Sequence, residues 1–484
     1  PPSEDRPVIR AETPGEADML DATVAAGSPQ STDSINTTTA DGPHFRTIRQ
    51  QLIEPPSEDR PEAKPGASLS TVMFNLLATC LGAGILGLPY GYTGSGFVGG
   101  SILLVVCAAL SAFGAHLLVE AADRSGRPAS FYSVAQAVGG PRAGVFMDFL
   151  IFVMSFGAAV SYLIVVGGVL PDVAMSFGAT GLLATRAPWI LGTLAVGAPL
   201  CFLRDLSALR VAAYVTFLMT VYITVVVALF ALLPETFEPC KGTDNHSTAT
   251  PLDCRGEVTA LTELMPSLGA LPIYIFAFTN HQNAISATNE MARPTRKRAL
   301  GAILGAIGLA LGLYLCVGCG GYYTFGSRVA SDVLAGEDGK LSYPERAALV
   351  IVGRVAIAVV VTMCYPLQVH PGRNCLISLL LKAGPASCRA GRAAGGVAGG
   401  NALHVAATSL MVAGTIGTAL AVSSLGVVIT LLGAVCSTSV QFILPGAAYF
   451  VLFRDPGGCK RWLALAQLLL GLILMPLCLT LAFL

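Results

Sequence analysis

Leu81-Gly82-Ala83-Gly84-Ile85-Leu86-Gly87-Leu88-Pro89-Tyr90 is the stretch that decides how this chain is read. Inside a helix each Gly costs about 1 kcal/mol against Ala, and Pro about 3. Yet this run sits in the middle of a long apolar segment, where a membrane helix is the natural reading. In lipid, backbone groups freed by such residues survive only where they line a cavity or are buried in protein. Two readings are open: a kinked helix whose glycines pack against neighbours, or a helix broken around a site.

The rest of the chain has the same character. Of 484 residues, 54% are hydrophobic and 12% charged, and the mean hydropathy is +0.68. Soluble domains carry roughly 25% charged residues, so most of this surface faces lipid. The formal net charge is zero, which removes nucleic acid as a partner. The 53 glycines lie largely within apolar runs, where small residues let membrane helices pack closely. The 13 cysteines form no His-Cys cluster at metal spacing, so neither a metal site nor a cofactor is expected.

Residues 1–67 differ. They are rich in Pro, Ser, Thr, Asp and Glu, and they repeat PPSEDRP at Pro1–Pro7 and Pro55–Pro61. Such a composition buries too little surface to fold, so a disordered tail is expected, with protein partners unknown. The polar start does not read as a signal sequence, and the absence of an initiator Met suggests a piece of a longer chain.

From Ser68 onward, apolar runs of about 20 residues recur near 69–92, 96–121, 143–172, 187–204, 207–233, 261–288, 299–325, 345–370, 402–421, 425–453 and 461–483. The expectation is an all-α membrane protein with eleven transmembrane helices, the membrane domain running over 68–484. Alternate loops carry the basic residues: Arg124, Arg127 and Arg142; Arg204 and Arg210; Arg293, Arg296, Lys297 and Arg298; Arg373, Lys382, Arg389 and Arg392; Arg454, Lys460 and Arg461. The positive-inside rule makes that side cytosolic, with the N-terminus inside. The loop after the fifth segment is then outside or luminal. It holds a glycosylation sequon at Asn245 between Cys240 and Cys254. A disulfide between these cysteines is expected in that oxidising compartment, with two free thiols as the other reading.

A second interruption lies in the sixth segment, where Thr279-Asn280-His281-Gln282-Asn283 follow Phe276-Ala277-Phe278. Buried polar residues at membrane depth face a pathway or the bundle interior; the plainer reading is a cytosolic helix end. Taken together the two interruptions say more. Paired breaks at corresponding places in two halves point to the central site of a transporter. Half-helix N-termini there suit a carboxylate, and freed carbonyls a cation.

At these residues the chain resembles the amino acid/auxin permease family, which includes sodium-coupled neutral amino acid transporters and vacuolar amino acid transporters. The similar strings are GAGILGLPY from Gly82, Ser161-Tyr162-Leu163-Ile164, Pro199–Arg204, Phe276–Phe278 with His281, Tyr322–Gly326, Tyr365–Gln368 and Phe442–Pro445. The resemblance covers about 70 to 484. It implies a LeuT-like fold of five-plus-five inverted repeats with an extra C-terminal helix. It also implies secondary transport of amino acids, neutral ones above all, by alternating access. Substrate main-chain groups are then expected at Gly82, Ala83, Gly84 and Ile85, with Phe276, Phe278, Thr279 and Asn280 opposite. Sodium-coupled relatives carry Asn where this chain has Ala78, and pair it with a helix 8 hydroxyl expected at Thr362. The departure at Ala78 weakens sodium coupling and favours protons or facilitated exchange. His281 is either a proton relay or a structural hydrogen-bonding group, and Arg354 either snorkels or serves a pathway.

The partners expected are a free amino acid and the lipid bilayer, at a plasma or a vacuolar/endolysosomal membrane. A transporter-like amino acid sensor is the alternative. A membrane-embedded enzyme lacks any HExxH, GxSxG or paired Asp motif here, and a channel lacks a repeated pore loop.

Overall fold

A computed structural model describes residues 66–240, 252, 254–335, 340–344, 347–382, 386–454 and 458–483. The tail at 1–65 and the sequon at Asn245 lie outside the described residues. Among the described residues the architecture is helical. The helices are α1 (Leu69–Cys80), α2 (Gly84–Ser95), α3 (Phe97–Arg124), α4 (Phe131–Ser176), α5 (Arg186–Cys201), α6 (Arg210–Leu232), α7 (Leu264–Ala277) and α8 (His281–Asn289). After these come α9 (Arg296–Phe325), α10 (Ala348–Lys382), α11 (Ala386–Ala421), α12 (Leu425–Leu431), α13 (Leu444–Leu452) and α14 (Cys459–Leu481).

Eight of the described helical spans are long and apolar enough to cross a membrane, or nine if α1 and α2, bent by 52°, count as one. Polar caps start several of them. Ser68 accepts from the Thr71 N–H at α1, and Thr295 accepts from the Arg298 N–H at α9. Ser130 and Ser133 form a capping box at α4, which satisfies donors that the helix itself leaves unpaired. The long α4 turns at Gly140, whose φ of 76° suits a residue without Cβ. Between α12 and α13 the chain runs through two π-helical turns, Leu432–Ser437 and Ser439–Ile443.

The helix limits correct part of the loop reading. Arg373 and Lys382 lie within α10, not in a loop, and Arg142 lies within α4. Pro366 and Pro371 do not end α10. Arg373 is 1% exposed, with its guanidinium donating to the carbonyls of Cys201 (2.6 Å) and Leu203. A cation on the last carbonyls of α5 is the arrangement its helix dipole favours. One cysteine pair at CxxC spacing also escaped the sequence reading. Cys316 and Cys319 stand on α9, with Cys319 against the hydroxyls of Ser101 and Tyr92. Among the described residues, no three His, Cys, Asp or Glu gather as a metal site.

The chain ends of one side converge. Ala67 pairs with the backbone at Glu290 and Ala292, and the Glu290 carboxylate accepts the N–H groups of Leu206 and Ser207 at 3.0 and 2.8 Å. Burial pushes that carboxyl up, while the two N–H groups pull it down. Arg127 donates to Asn289, and Lys460 to Glu120 at 2.6 Å. The basic segments named above thus gather at one end of the bundle.

At the other end, residues 329–335 fold back into the helices. Ser331 meets Gly426, and Val333 meets Gly321. Arg354 holds this segment. It is 0% exposed, donates to Leu334 O at 2.7 Å and Tyr343 O at 3.4 Å, and pairs with Asp172 at 3.6 Å. The snorkelling reading of Arg354 therefore fails, because its head is packed among carbonyls. Cys240 and Cys254 are joined as a disulfide.

Candidate functional site

The glycines and proline of the opening stretch break the first span. α1 ends at Cys80, α2 begins at Gly84, and Leu81-Gly82-Ala83 cross between them. Gly82 turns its N–H back to Cys80 O at 2.8 Å. The amides of Ala83 and Gly84 stand at the N-terminus of α2, where a helix has no internal acceptors for its first N–H groups. The polar run breaks the other span in the same way, with Phe278-Thr279-Asn280 crossing between α7 and α8. That run is not a solvent-exposed helix end: Thr279, Asn280, His281, Gln282 and Asn283 are all buried, and the chain continues as a helix to Asn289.

The two breaks touch. A Cβ on Gly84 would lie 3.1 Å from Ala277 Cα, so a side chain there would push the two helices apart by a few tenths of an ångström. Around the contact is a small cavity lined by Thr79, Cys80, Gly82, Ala83, Gly84, Met154, Ala158, Tyr162, Phe276, Thr279, Gln282 and Gln368. Its volume is about 10 Å³, room for about one water. No carboxylate, Lys, Arg or His lines it.

Of the residues named from sequence, Gly82, Ala83, Gly84, Phe276 and Thr279 line this cavity. Ile85, Phe278 and Asn280 are buried beside it but do not line it. Phe278 packs against Tyr314, with ring centroids 5.2 Å apart and the planes tilted by 59°, and the Asn280 amide lies against Cys80. Sequence reasoning missed Tyr162, Gln282 and Gln368 as site residues. Gln282 Nε2 donates to Gln368 Oε1 at 3.1 Å, and Gln368 Nε2 donates to the Tyr162 hydroxyl at 3.0 Å. That hydroxyl rests on Gly82, where an added Cβ would sit 2.1 Å from it. Gln282 Oε1 has no hydrogen-bond partner among the described residues.

Neighbouring helices hold the freed carbonyls of the second break. Gln441 reaches from the π-helical turns to donate to Ile275 O at 2.6 Å and to Thr279 Oγ1 at 2.5 Å. Ser111 on α3 donates to Phe278 O at 2.9 Å. His281 is fully buried, and its Nε2 faces Gly114 on α3.

The three coupling-ion candidates do not assemble. Thr362 donates to Ala358 O within its own helix and turns its methyl toward Gly197 on α5. The residue that meets Ala78 is Cys364, whose Sγ donates to Ala78 O at 3.1 Å and lies 3.5 Å from Thr216 Oγ1. At about 100° per residue, two positions carry a side chain to the far side of the helix. Asn75 spends its amide on Leu206 O.

The family model for transmembrane amino acid transporter proteins matches residues 65–484. Vacuolar amino acid transporter 5 of Schizosaccharomyces pombe is 31% identical over 388 residues, covering 79% of this chain and 84% of that one. Vacuolar amino acid transporter 6 of Saccharomyces cerevisiae is 29% identical over 470 residues, covering 86% and 99%. Sodium-coupled neutral amino acid transporter 7 of Homo sapiens is 25% identical over 355 residues, covering 70% and 72%. With its broken helices, long apolar spans and a match across the whole membrane region, this chain is a multi-pass membrane protein that belongs to the transmembrane amino acid transporter family.

Proposed function

We propose that this chain is a secondary transporter that moves neutral amino acids by alternating access, with its substrate site at the two breaks. The observation that carries the reading is the backbone contact of Gly84 with Ala277 beside an uncharged cavity. The N–H groups opening α2 suit the substrate carboxylate. The amides of Gln282 and Gln368 and the Tyr162 hydroxyl supply neutral hydrogen-bonding partners. A charged substrate side chain in so small and buried a site would be left without a counter-ion, at a cost of several kcal/mol. A neutral amino acid avoids that cost.

Eleven spans follow if α5, the α1–α2 pair and the α7–α8 pair each cross the membrane once. That arrangement supports the LeuT-like five-plus-five repeat with an added last helix. The gathered basic end is the cytosolic one by the positive-inside rule, with the N-terminus there and the disulfide-bonded loop, sequon included, on the other side. The two yeast relatives are named vacuolar transporters, which favours a vacuolar membrane.

For coupling, protons are preferred to sodium. Hard cations take oxygen ligands, and the contact to Ala78 O is made here by a thiol that donates. A panel of labelled amino acids, offered to proteoliposomes under imposed pH or sodium gradients, tests all of this. Saturable uptake of neutral amino acids driven by a pH gradient is expected. Failure to move any amino acid overturns the transport reading, and strict sodium dependence overturns the coupling.

A further inference from the structure

Asn283 Nδ2 on α8 donates to Thr79 Oγ1 on α1 at 3.0 Å, and one side chain from a third helix holds the carbonyl ends of both breaks. The Tyr314 hydroxyl, carried by α9, donates to Cys80 O at 2.6 Å and to Ala277 O at 2.9 Å. Cys80 O is the last carbonyl of α1, and Ala277 O is the last carbonyl of α7. Both are acceptors that their helices cannot satisfy. Tyr314 is fully buried and its ring packs on Phe278 within the second break. A phenol has a single hydrogen to divide between two acceptors. The geometry is therefore sensitive to the relative position of the two breaks: moving either one takes the hydrogen from the other.

We infer that Tyr314 is a positioning residue that ties the two interruptions into one moving unit, so that they open and close together during transport. The inference rests on the transport reading for its purpose, though not for its geometry. Gln441 and Ser111 hold the second break alone, and Cys364 holds the first alone. Asn283 links the helices beside the breaks through Thr79, while Tyr314 holds the last carbonyls of both α1 and α7 at once.

Cys80 lines the cavity beside the carbonyl that Tyr314 holds, and its own thiol reports when the first break opens. The test compares Tyr314→Phe with Tyr322→Phe in the full chain. Tyr322 is also on α9, is 1% exposed, and spends its hydroxyl on Thr259 at 3.2 and 3.3 Å, away from the breaks. N-ethylmaleimide labelling is followed residue by residue by mass spectrometry, since exposed thiols such as Cys316 and Cys459 react first.

Loss of one shared buried hydrogen bond is worth about tenfold in an equilibrium. Tyr314→Phe is expected to speed Cys80 alkylation about tenfold and to lower the maximal uptake rate more than it changes half-saturation. Tyr322→Phe is expected to leave Cys80 as it is. Unchanged Cys80 labelling in a folded Tyr314→Phe protein overturns the tie, as does an equal rise in both variants. Hydrogen exchange on the unmodified chain gives a second measurement, needed if Tyr314→Phe does not fold. Amides at 78–85 and 276–283 should gain protection together when amino acid is added, and independent changes overturn the inference. The labelling needs no transport, so absence of uptake by the unmodified chain strikes the proposed function and leaves Cys80 to judge the tie.

Discussion

Gly82→Ala is the sharpest test of the site. The added methyl would lie 2.1 Å from the Tyr162 hydroxyl, 2.4 Å from its Cε1 and 2.5 Å from its Cζ. Ordinary carbon contacts lie near 3.5–4.0 Å, so the ring has to move by more than 1 Å, on the order of the whole shortfall. Tyr162 is buried on the part of α4 that runs helical after the turn at Gly140, and such overpacking costs about 1–3 kcal/mol. The shift also pulls the hydroxyl from Gln368 Nε2, a loss of about 1 kcal/mol more. Together these disfavour the closed site by roughly 2–4 kcal/mol, which lowers transport by about thirtyfold to several hundredfold. Initial uptake rates in proteoliposomes, normalised to folded protein, give the measure. Gly192→Ala is the control, since nothing lies within 4 Å of its added Cβ, and it should stay within about twofold. A double variant with Tyr162→Leu should cost less than the sum of its parts, because the two residues share the clash. If Gly82→Ala keeps half or more of the uptake, Tyr162 does not sit on the break as described, and the site is wrong.

Three other outcomes are expected. Gln368→Leu strands the Gln282 amide that now donates to it, and should raise the half-saturation concentration about tenfold; unchanged saturation curves count against the amide pair as part of the site. Thr362→Ala should leave ion dependence as it is, because its hydroxyl bonds its own helix. By contrast, Ala78→Asn with Cys364→Ser adds two oxygens and should bring sodium stimulation, so a sodium effect lost on Thr362→Ala refutes the assignment of Cys364. Arg354→Ala removes the buried donor to Leu334 O and Tyr343 O and the charge beside Asp172 and should destabilise the protein by roughly 3 kcal/mol, with a lower thermal midpoint; Arg354→Lys recovers only part, since a point charge cannot replace the fork.

The two breaks were legible because glycine, proline and consecutive polar residues have no place in a lipid-facing helix, so their cost points to a purpose. The opposite holds for Tyr162 and Gln368. They sit on continuous helices, among residues that any membrane span contains, and only the fold brings them over Gly82. Thr362 shows the same limit: a family pattern names a helix, but a two-residue offset decides which side chain meets Ala78, and here Cys364 does. Arg373 was read as a loop residue because it is charged and falls just past the apolar run at 345–370. In the fold it caps the carbonyls at the end of α5, a partner that sequence distance conceals.

The small volume between the breaks has a consequence for leakage. A space for about one water holds no file of water between the two breaks. On the proposed reading of gradient-driven transport, a molecule in this state without cargo gives protons and small ions no wet path past Tyr162 and Gln282 at this cavity, which would keep an idle copy from running down the gradient.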